Sequence, residues 1–363
     1  MSPLAADGFD PELLPLAEFS DCAAAVLAAD SKRILSYGTG AGYTPLRELI
    51  AAWFAVEPSR VVLTNGSLHG LGLLARALGG ERPTVAEYPI YDRAERALLQ
   101  AGAVLTSVQI EPQGFRLDEL RQMLVEFRRP ELLYTIPTFH NPTGYTMTAA
   151  TRVRLVDLVR RQNLLEAEHQ LVLVEDDAYG LTRFEGERAP TLFDVSAGST
   201  VYSSSFSTTI SPGLRVGWLV LPDRLAARIV EAATAAYISP VLLGQATVFE
   251  FLRRGALEAH LERLRDGLRL RRDALLGALA EHFPDGSWVV PEGGFHLWVE
   301  LPLGNDSRGF IEAAGLAAAR PGTAFAWTAN AFRVSFAALA PDQLVAGVER
   351  LAAARAAQRT TTK

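Results

Sequence analysis

Lysine is almost missing from this chain: Lys32 and Lys363 are the only two among 363 residues, and all other fixed positive charges are arginines. Chemistry that needs a lysine amine must use one of these two or do without. Cysteine is scarcer still. With Cys22 alone, neither an intrachain disulfide nor a cysteine-rich metal site can form, and the residue reads as a small apolar member of an alanine-rich helix. Apolar runs are short and interrupted, and the first residues, MSPLAADGFD, have neither a basic region nor an apolar core. A cytoplasmic protein with no leader and no membrane span is therefore expected. Positive charge is not in excess: the formal net charge is -6 and the isoelectric point about 5.6, which argues against a nucleic-acid partner. What is present in quantity is apolar side chain, 49% of residues, enough for a large core in about two domains.

Short β-branched or apolar runs alternate with longer amphipathic stretches. That alternation predicts an α/β fold in which helices cover a mostly parallel sheet. Strands are expected at 61–64, 84–87, 103–108, 132–136, 171–175, 200–203 and 217–221, and helices at 68–78, 94–100, 150–168 and 225–237. The style changes after Pro240. An arginine-rich amphipathic stretch over 252–282 leads to short strands at 288–290, 295–301 and 332–336, then to a helix beginning at Pro341, which suits a smaller α+β domain. The expected organisation is an N-terminal arm at 1–29, a large domain at 30–240 and a small domain at 241–363.

Chemistry concentrates at the ends of these strands. Residues 203–218, SSSFSTTISPGLRVGW, combine hydroxyls, a Pro-Gly turn and Arg215, a suitable cradle for phosphate; alone, the arginine reads equally as a surface ion pair. TNGSLHG, at 64–70, ends a strand and opens a helix, so the N–H groups of Gly66, Ser67 and Leu68 can face an anion, or Ser67 can simply cap the helix. Tyr91, in EYPIYDR, follows a proline turn, where its ring can lie against a planar heterocycle or join the core. Asn141, in FHNPTG, is a turn residue or a ligand group at the end of a parallel strand; the strand end favours the ligand. In VEDDAYG, Glu175, Asp176 and Asp177 end an apolar strand, and three carboxylates there need a cation. A protonated pyridine nitrogen would serve; a metal is the competing reading, with no further ligand at a suitable spacing. GTGAG, at 38–42, follows no strand and lacks dinucleotide spacing, so it reads as a glycine loop entering a helix.

The order and spacing of these motifs, from about Tyr37 to the C-terminus, resemble the class I/II aminotransferases of the fold-type I pyridoxal-phosphate family. The resemblance implies a large domain with a mostly parallel central sheet, a smaller α+β domain, and pyridoxal 5′-phosphate or pyridoxamine 5′-phosphate as cofactor. It implies further that Gly66, Ser67, Leu68, Ser205, Ser207 and Arg215 hold the phosphate, that Tyr91 stacks on the ring, and that Asn141 and Tyr179 meet the ring hydroxyl. Asp176 would pair with the ring nitrogen, and Arg333, in FRVSFA, would grip a substrate α-carboxylate beside Asn141. Tyr37 resembles a tyrosine that such enzymes lend to a neighbouring subunit, which implies a homodimer.

One position departs from the family. Its motif runs serine, any residue, serine, lysine, and the lysine forms the Schiff base and moves the substrate proton; here Ser205-Phe206-Ser207 is followed by Thr208. Threonine cannot form that bond, and its hydroxyl is a poor base at neutral pH. Lys32 has no motif around it. The expectation is an enzyme acting on an α-amino acid or 2-keto acid with a noncovalently held cofactor, with His69, His140, His296 or a water on Thr208 as proton carrier. The alternative is a catalytically inactive binding or partner protein on the same scaffold. A regulator carrying a helix-turn-helix domain is not expected, because about 30 residues precede the first motif.

Overall fold

Strand runs of β-branched and aliphatic residues build the central sheet, in a computed structural model that describes residues 10–79, 83–126, 130–166 and 170–361. Its strands are β1 (Val61–Thr64), β2 (Pro83–Tyr88), β3 (Val104–Glu111), β4 (Gly114–Phe115), β5 (Leu132–Thr135), β6 (Val172–Asp176), β7 (Val201–Ser205) and β8 (Gly217–Val220). They lie in the order β1-β8-β7-β6-β5-β2-β3-β4. The run β7-β6-β5-β2-β3 is parallel, while β8 is antiparallel to both neighbours and β4 to β3. This is the expected α/β architecture, a mostly parallel sheet with helices on both faces.

A second sheet orders β9 (His296–Glu300), β10 (Ala319–Pro321) and β11 (Ala331–Ser335) as β10-β11-β9, all antiparallel. The expected strand at 288–290 is not there. Only Ser287 bridges to Glu300, and Pro291, which has no N–H, follows directly. The amphipathic stretch at 252–282 is two helices, Leu242–Arg253 and Ala256–His282, parted at Gly255, whose φ of 71° suits glycine. The helix expected at 150–168 is Ala149–Leu165; its last predicted residues, 167 and 168, lie outside the described residues.

Pleating distributes the strand residues between two faces. Ala86, Tyr134, Val172 and Val174 pack into one large cluster that continues through Leu264, Leu279, Phe332 and Leu351. On the other face Val85, Leu133, Leu171 and Leu173 pack with Leu155 and Val159 of the helix Ala149–Leu165. The parallel strands β5 and β6 are buried along their whole length, so a polar side chain at their ends needs a partner.

Candidate active site

The strand ends of β1, β6 and β7 open on one cavity of about 120 Å³, lined by Ser67, Leu68, Tyr91, Ile136, Asp176, Ala178, Tyr179, Ser205, Ser207, Thr208 and Arg215. It lies beyond the carboxyl ends of parallel strands, where ligands bind in open α/β sheets.

One end of the cavity is made of anion-binding groups. After β1 the chain turns at Gly66 (φ 92°) into the helix Ser67–Leu78, and Gly66, not Ser67, is the N-cap. The capping alternative for Ser67 is thus overturned: its side chain lines the cavity at the positive end of the helix. Across from it Ser205 Oγ donates to Ser207 Oγ at 2.7 Å and accepts from Ser207 N at 2.9 Å. Arg215, itself in the left-handed region (φ 53°), donates through Nη2 to Asn65 O at 3.1 Å. A Cβ on Gly66 would stand 2.2 Å from that Nη2, so the glycine is what lets the guanidinium reach the turn.

Gly217, unremarked in the sequence, matters as much. A Cβ on it would lie 2.6 Å from both Gly66 C and Ser67 N, backbone atoms that cannot swing aside. Gly217→Ala is expected to displace the turn and weaken phosphate binding at least about tenfold with the fold intact, since a shift of well under an ångström already misplaces hydrogen-bond donors. Isothermal titration with inorganic phosphate and with pyridoxal phosphate checks this; unchanged affinity for both would refute it.

The other end is acidic. Of the three carboxylates at the end of β6, only Asp176 lines the cavity. Tyr134 Oη donates to its Oδ2 at 2.8 Å, while its Oδ1 is buried with no hydrogen-bond partner among the described residues. Burial pushes the carboxyl up to about 7; the Tyr134 hydrogen bond pulls it down, and Asp177 and Glu87 push it further up. Glu175, on the opposite face, accepts from Leu192 N at 3.0 Å and Phe193 N at 2.9 Å and pairs with Arg152 at 3.4 Å. Asp177 accepts from Tyr202 Oη at 2.8 Å. These two brace the fold, and no group of three or more metal-ligating side chains exists among the described residues.

Asn141 and Arg333 stand one step back from the cavity. Asn141 Nδ2 donates to Tyr179 Oη at 3.3 Å, and Arg333 Nη1 donates to Asn141 Oδ1 at 2.8 Å. Arg333 is fully buried, its guanidinium 4.7 Å from the centre of the Phe325 ring. Tyr37 is 83% exposed and does not line the cavity.

The candidate proton carriers fall elsewhere. His140 Nε2 lies 3.2 Å from Glu87 and its Nδ1 2.8 Å from Thr143 Oγ1; His296 meets Tyr179 edge-on at 5.6 Å; His69 Nδ1 accepts from Asn65 N at 3.2 Å. None of the three lines the cavity, and neither does Lys32. Thr208 does, but its hydroxyl donates to Ala178 O, so that hydrogen is engaged.

A cavity with hydroxyl and guanidinium donors at one end, an aromatic wall and a buried carboxylate at the other has the chemistry to seat a phosphorylated, cationic planar ring. Residues 14–351 match the model of the family "Aminotransferase class I and II", and the chain belongs to that family, with its fold-type I architecture. Enzymes of this family use pyridoxal 5′-phosphate and its pyridoxamine form as cofactor. The chain is similar to the 2-aminoadipate transaminase of Thermus thermophilus, 35% identical over 94% of this chain and 86% of that protein. It is also similar to aromatic-amino-acid aminotransferase 1 of Thermococcus litoralis, 30% identical over 94% and 85%. The crystal structure of the α-aminoadipate aminotransferase LysN from Thermus thermophilus, complexed with N-(5′-phosphopyridoxyl)-L-leucine, superposes with a TM-score of 0.90 at 33% identity, covering 97% of this chain and 91% of that one. No helix among the described residues is long and apolar enough to cross a membrane.

Proposed function

We propose that this protein holds pyridoxal 5′-phosphate or pyridoxamine 5′-phosphate noncovalently and acts on an α-amino acid or its 2-keto acid without a lysine. The observation that carries the reading is Asp176: a buried carboxylate at the end of the cavity away from the anion cradle, with one oxygen left without a partner among the described residues. A buried carboxylate oxygen in that state calls for a hydrogen-bond donor, and a cationic donor would in addition favour its ionised form.

When bound, the cofactor's ring withdraws electrons from the carbon beside the substrate's nitrogen and acidifies its hydrogen. The chain's own residues supply the rest. The N–H groups of Gly66, Ser67 and Leu68, the hydroxyls of Ser205 and Ser207, and Arg215 bind the phosphate. Tyr91 supplies a flat apolar wall that excludes water, and Tyr179 with Asn141 offers hydrogen bonds at the ring's edge. Asp176 Oδ1 stabilises positive charge on the ring nitrogen. Arg333, turned through Asn141 toward the same region, orients a carboxylate with its bidentate fork. Thr208 stands at the family's lysine position, and its hydroxyl ties the Ser207 turn to Ala178, next to Tyr179. The proton carrier on this reading is a water beside Thr208.

A homodimer is part of this reading: Leu35 (69%), Tyr37 (83%), Ile238 (53%) and Val241 (58%) leave apolar surface exposed for a second copy to cover, and Val241 N, which donates to Asn65 Oδ1 at 3.4 Å, ties residue 241 to the turn that holds the phosphate cradle. In that dimer Tyr37 would reach the partner's cofactor. The domain limits proposed are those of an arm at 1–29, a large domain at 30–240 and a small one at 241–363.

The test is a titration of the purified protein with each cofactor form, followed by absorbance and heat, with borohydride trapping and mass spectrometry. Saturable binding without a lysine adduct is expected, on a protein that sediments as a dimer. Binding of neither form, or an adduct on Lys32, would overturn the reading. The alternative, an inactive binding protein on the same scaffold, is not favoured by relatives that are transaminases. Exchange of an amino acid's α-hydrogen with deuterated solvent separates the two, being present for an enzyme and absent for a binder.

A further inference from the structure

We infer that Tyr134 is a positioning residue for the site: its hydroxyl fixes the orientation and charge of Asp176 and so determines how the protein meets the cofactor ring. The inference rests on the cofactor reading above. Parallel pairing of β5 with β6 sets Tyr134 beside Val174, one pleat from Asp176, so the two side chains share a face of the sheet. Tyr134 is fully buried, Asp176 is 4% exposed, and the phenol donates to Oδ2 at 2.8 Å.

The hydroxyl has no evident packing purpose. The ring sits in an apolar cluster with Ala86, Val172 and Val174, where a phenylalanine ring would fill the same space. Its proton is firmly held, because burial and the nearby Asp176 and Glu87 carboxylates push the phenol well above its ordinary range. It therefore stays a donor toward Asp176. With Oδ2 locked by that donor, the carboxylate plane is set and Oδ1 is left for the cavity.

The charges around Asp176 give the hydroxyl its leverage. Asp177, the residue after β6, and Glu87 on β2 both disfavour a second negative charge, and Tyr134 is the one side-chain donor that opposes them among the described residues. His140, which could soften the charge on Glu87, lies 3.2 Å from its Oε2; Tyr91, Tyr179 and Arg215 face Asp176 across the cavity. Without the hydroxyl, Asp176 would ionise at higher pH.

Tyr134→Phe separates this role from a structural one through its pH profile. Near pH 7, where the apo variant holds Asp176 protonated, pyridoxal phosphate should bind about tenfold more weakly than to wild type, the worth of one hydrogen bond to a charged group. Toward pH 9.5 both apo proteins are ionised, and the gap should close. In an Asp176→Asn background the same change should alter affinity less than about twofold. A second measurement needs no cofactor. A carboxyl raised in the folded state contributes stability below its unfolded pKa and loses it as pH rises to its folded pKa, so the Asp176 part of the apo melting profile of wild type should fall between about pH 4 and 7. In Tyr134→Phe that fall should extend about one pH unit higher. An equal affinity deficit at every pH, superimposable apo melting profiles, or a variant that does not fold would overturn the inference by assigning the hydroxyl to nothing or to the core. Wild-type protein that binds neither cofactor form would instead remove the cofactor reading and leave the apo melts to judge Tyr134.

Discussion

Thr208→Lys is expected to give a protein that carries its cofactor covalently, visible as a borohydride-trapped adduct on residue 208 that wild type lacks. Thr208 lines the cavity together with Ala178, Tyr179, Ser205 and Ser207, and is half-buried. A lysine there replaces a short side chain with a flexible one whose stem can lie along Ala178 and whose amine is partly desolvated, which lowers its pKa and frees its lone pair. The lost hydrogen bond to Ala178 O costs about 1 kcal/mol, because that carbonyl is near enough to solvent to find water. A positioned general base contributes about 10²- to 10⁴-fold, so single-turnover conversion of an amino acid should rise by that factor. If no adduct forms while the variant still binds the cofactor, residue 208 is not the position from which an amine can reach it, and the lysine-free reading of wild type loses its basis.

Asp176→Ala should slow any cofactor-dependent reaction by about 100- to 4,000-fold. Removing one member of a buried, hydrogen-bonded charge pair costs about 3–5 kcal/mol, and each 1.4 kcal/mol is a factor of ten. The phosphate cradle is at the far end of the cavity, so phosphate alone should bind the variant as it binds wild type. The folded apo protein should respond in the opposite sense. Asp176 is held up to about 7 by burial, so between about pH 4 and 7 the unfolded chain ionises while the folded protein keeps the proton, and stability falls across that window. Asp176→Asn, which keeps an acceptor for Tyr134, should therefore reduce the fall in melting temperature from about pH 4 to pH 7, the remainder belonging to Glu175, whose carboxyl burial raises to about 8. Unchanged turnover with intact cofactor binding would falsify the role of Asp176.

The lysine scarcity, the hydroxyl-rich segment with Arg215, and the alternation of strand and helix could all be read from the chain. Short-range rules suffice there: β-branched runs bounded by turn residues make strands such as β1, and a glycine before Ser67 opens a helix. Helix and strand limits shifted by a few residues because end positions depend on what packs against them. Gly255 broke a stretch whose amphipathic period runs straight through it, and the apolar run at 288–290 had no strand to pair with.

Composition and motif order thus determined by themselves the fold class, the family and the chemical character of the cavity. Only the tertiary structure decided which way each group faces. Pleating guarantees that Glu175 and Asp176 point to opposite faces, but not which face holds the cavity; the register of β5 on β6, and the helices packed on each side, decide that Asp176 lines it while Glu175 meets Arg152. The same register brings Tyr134 to Asp176 across 42 residues of chain, a contact no local pattern encodes. Likewise, the antiparallel pairing of β8 with β1 presses Gly217 against Gly66, making its missing side chain part of the anion site. Contacts between distant segments are set by the packing of the whole core, which is why they became legible only once the chain was folded.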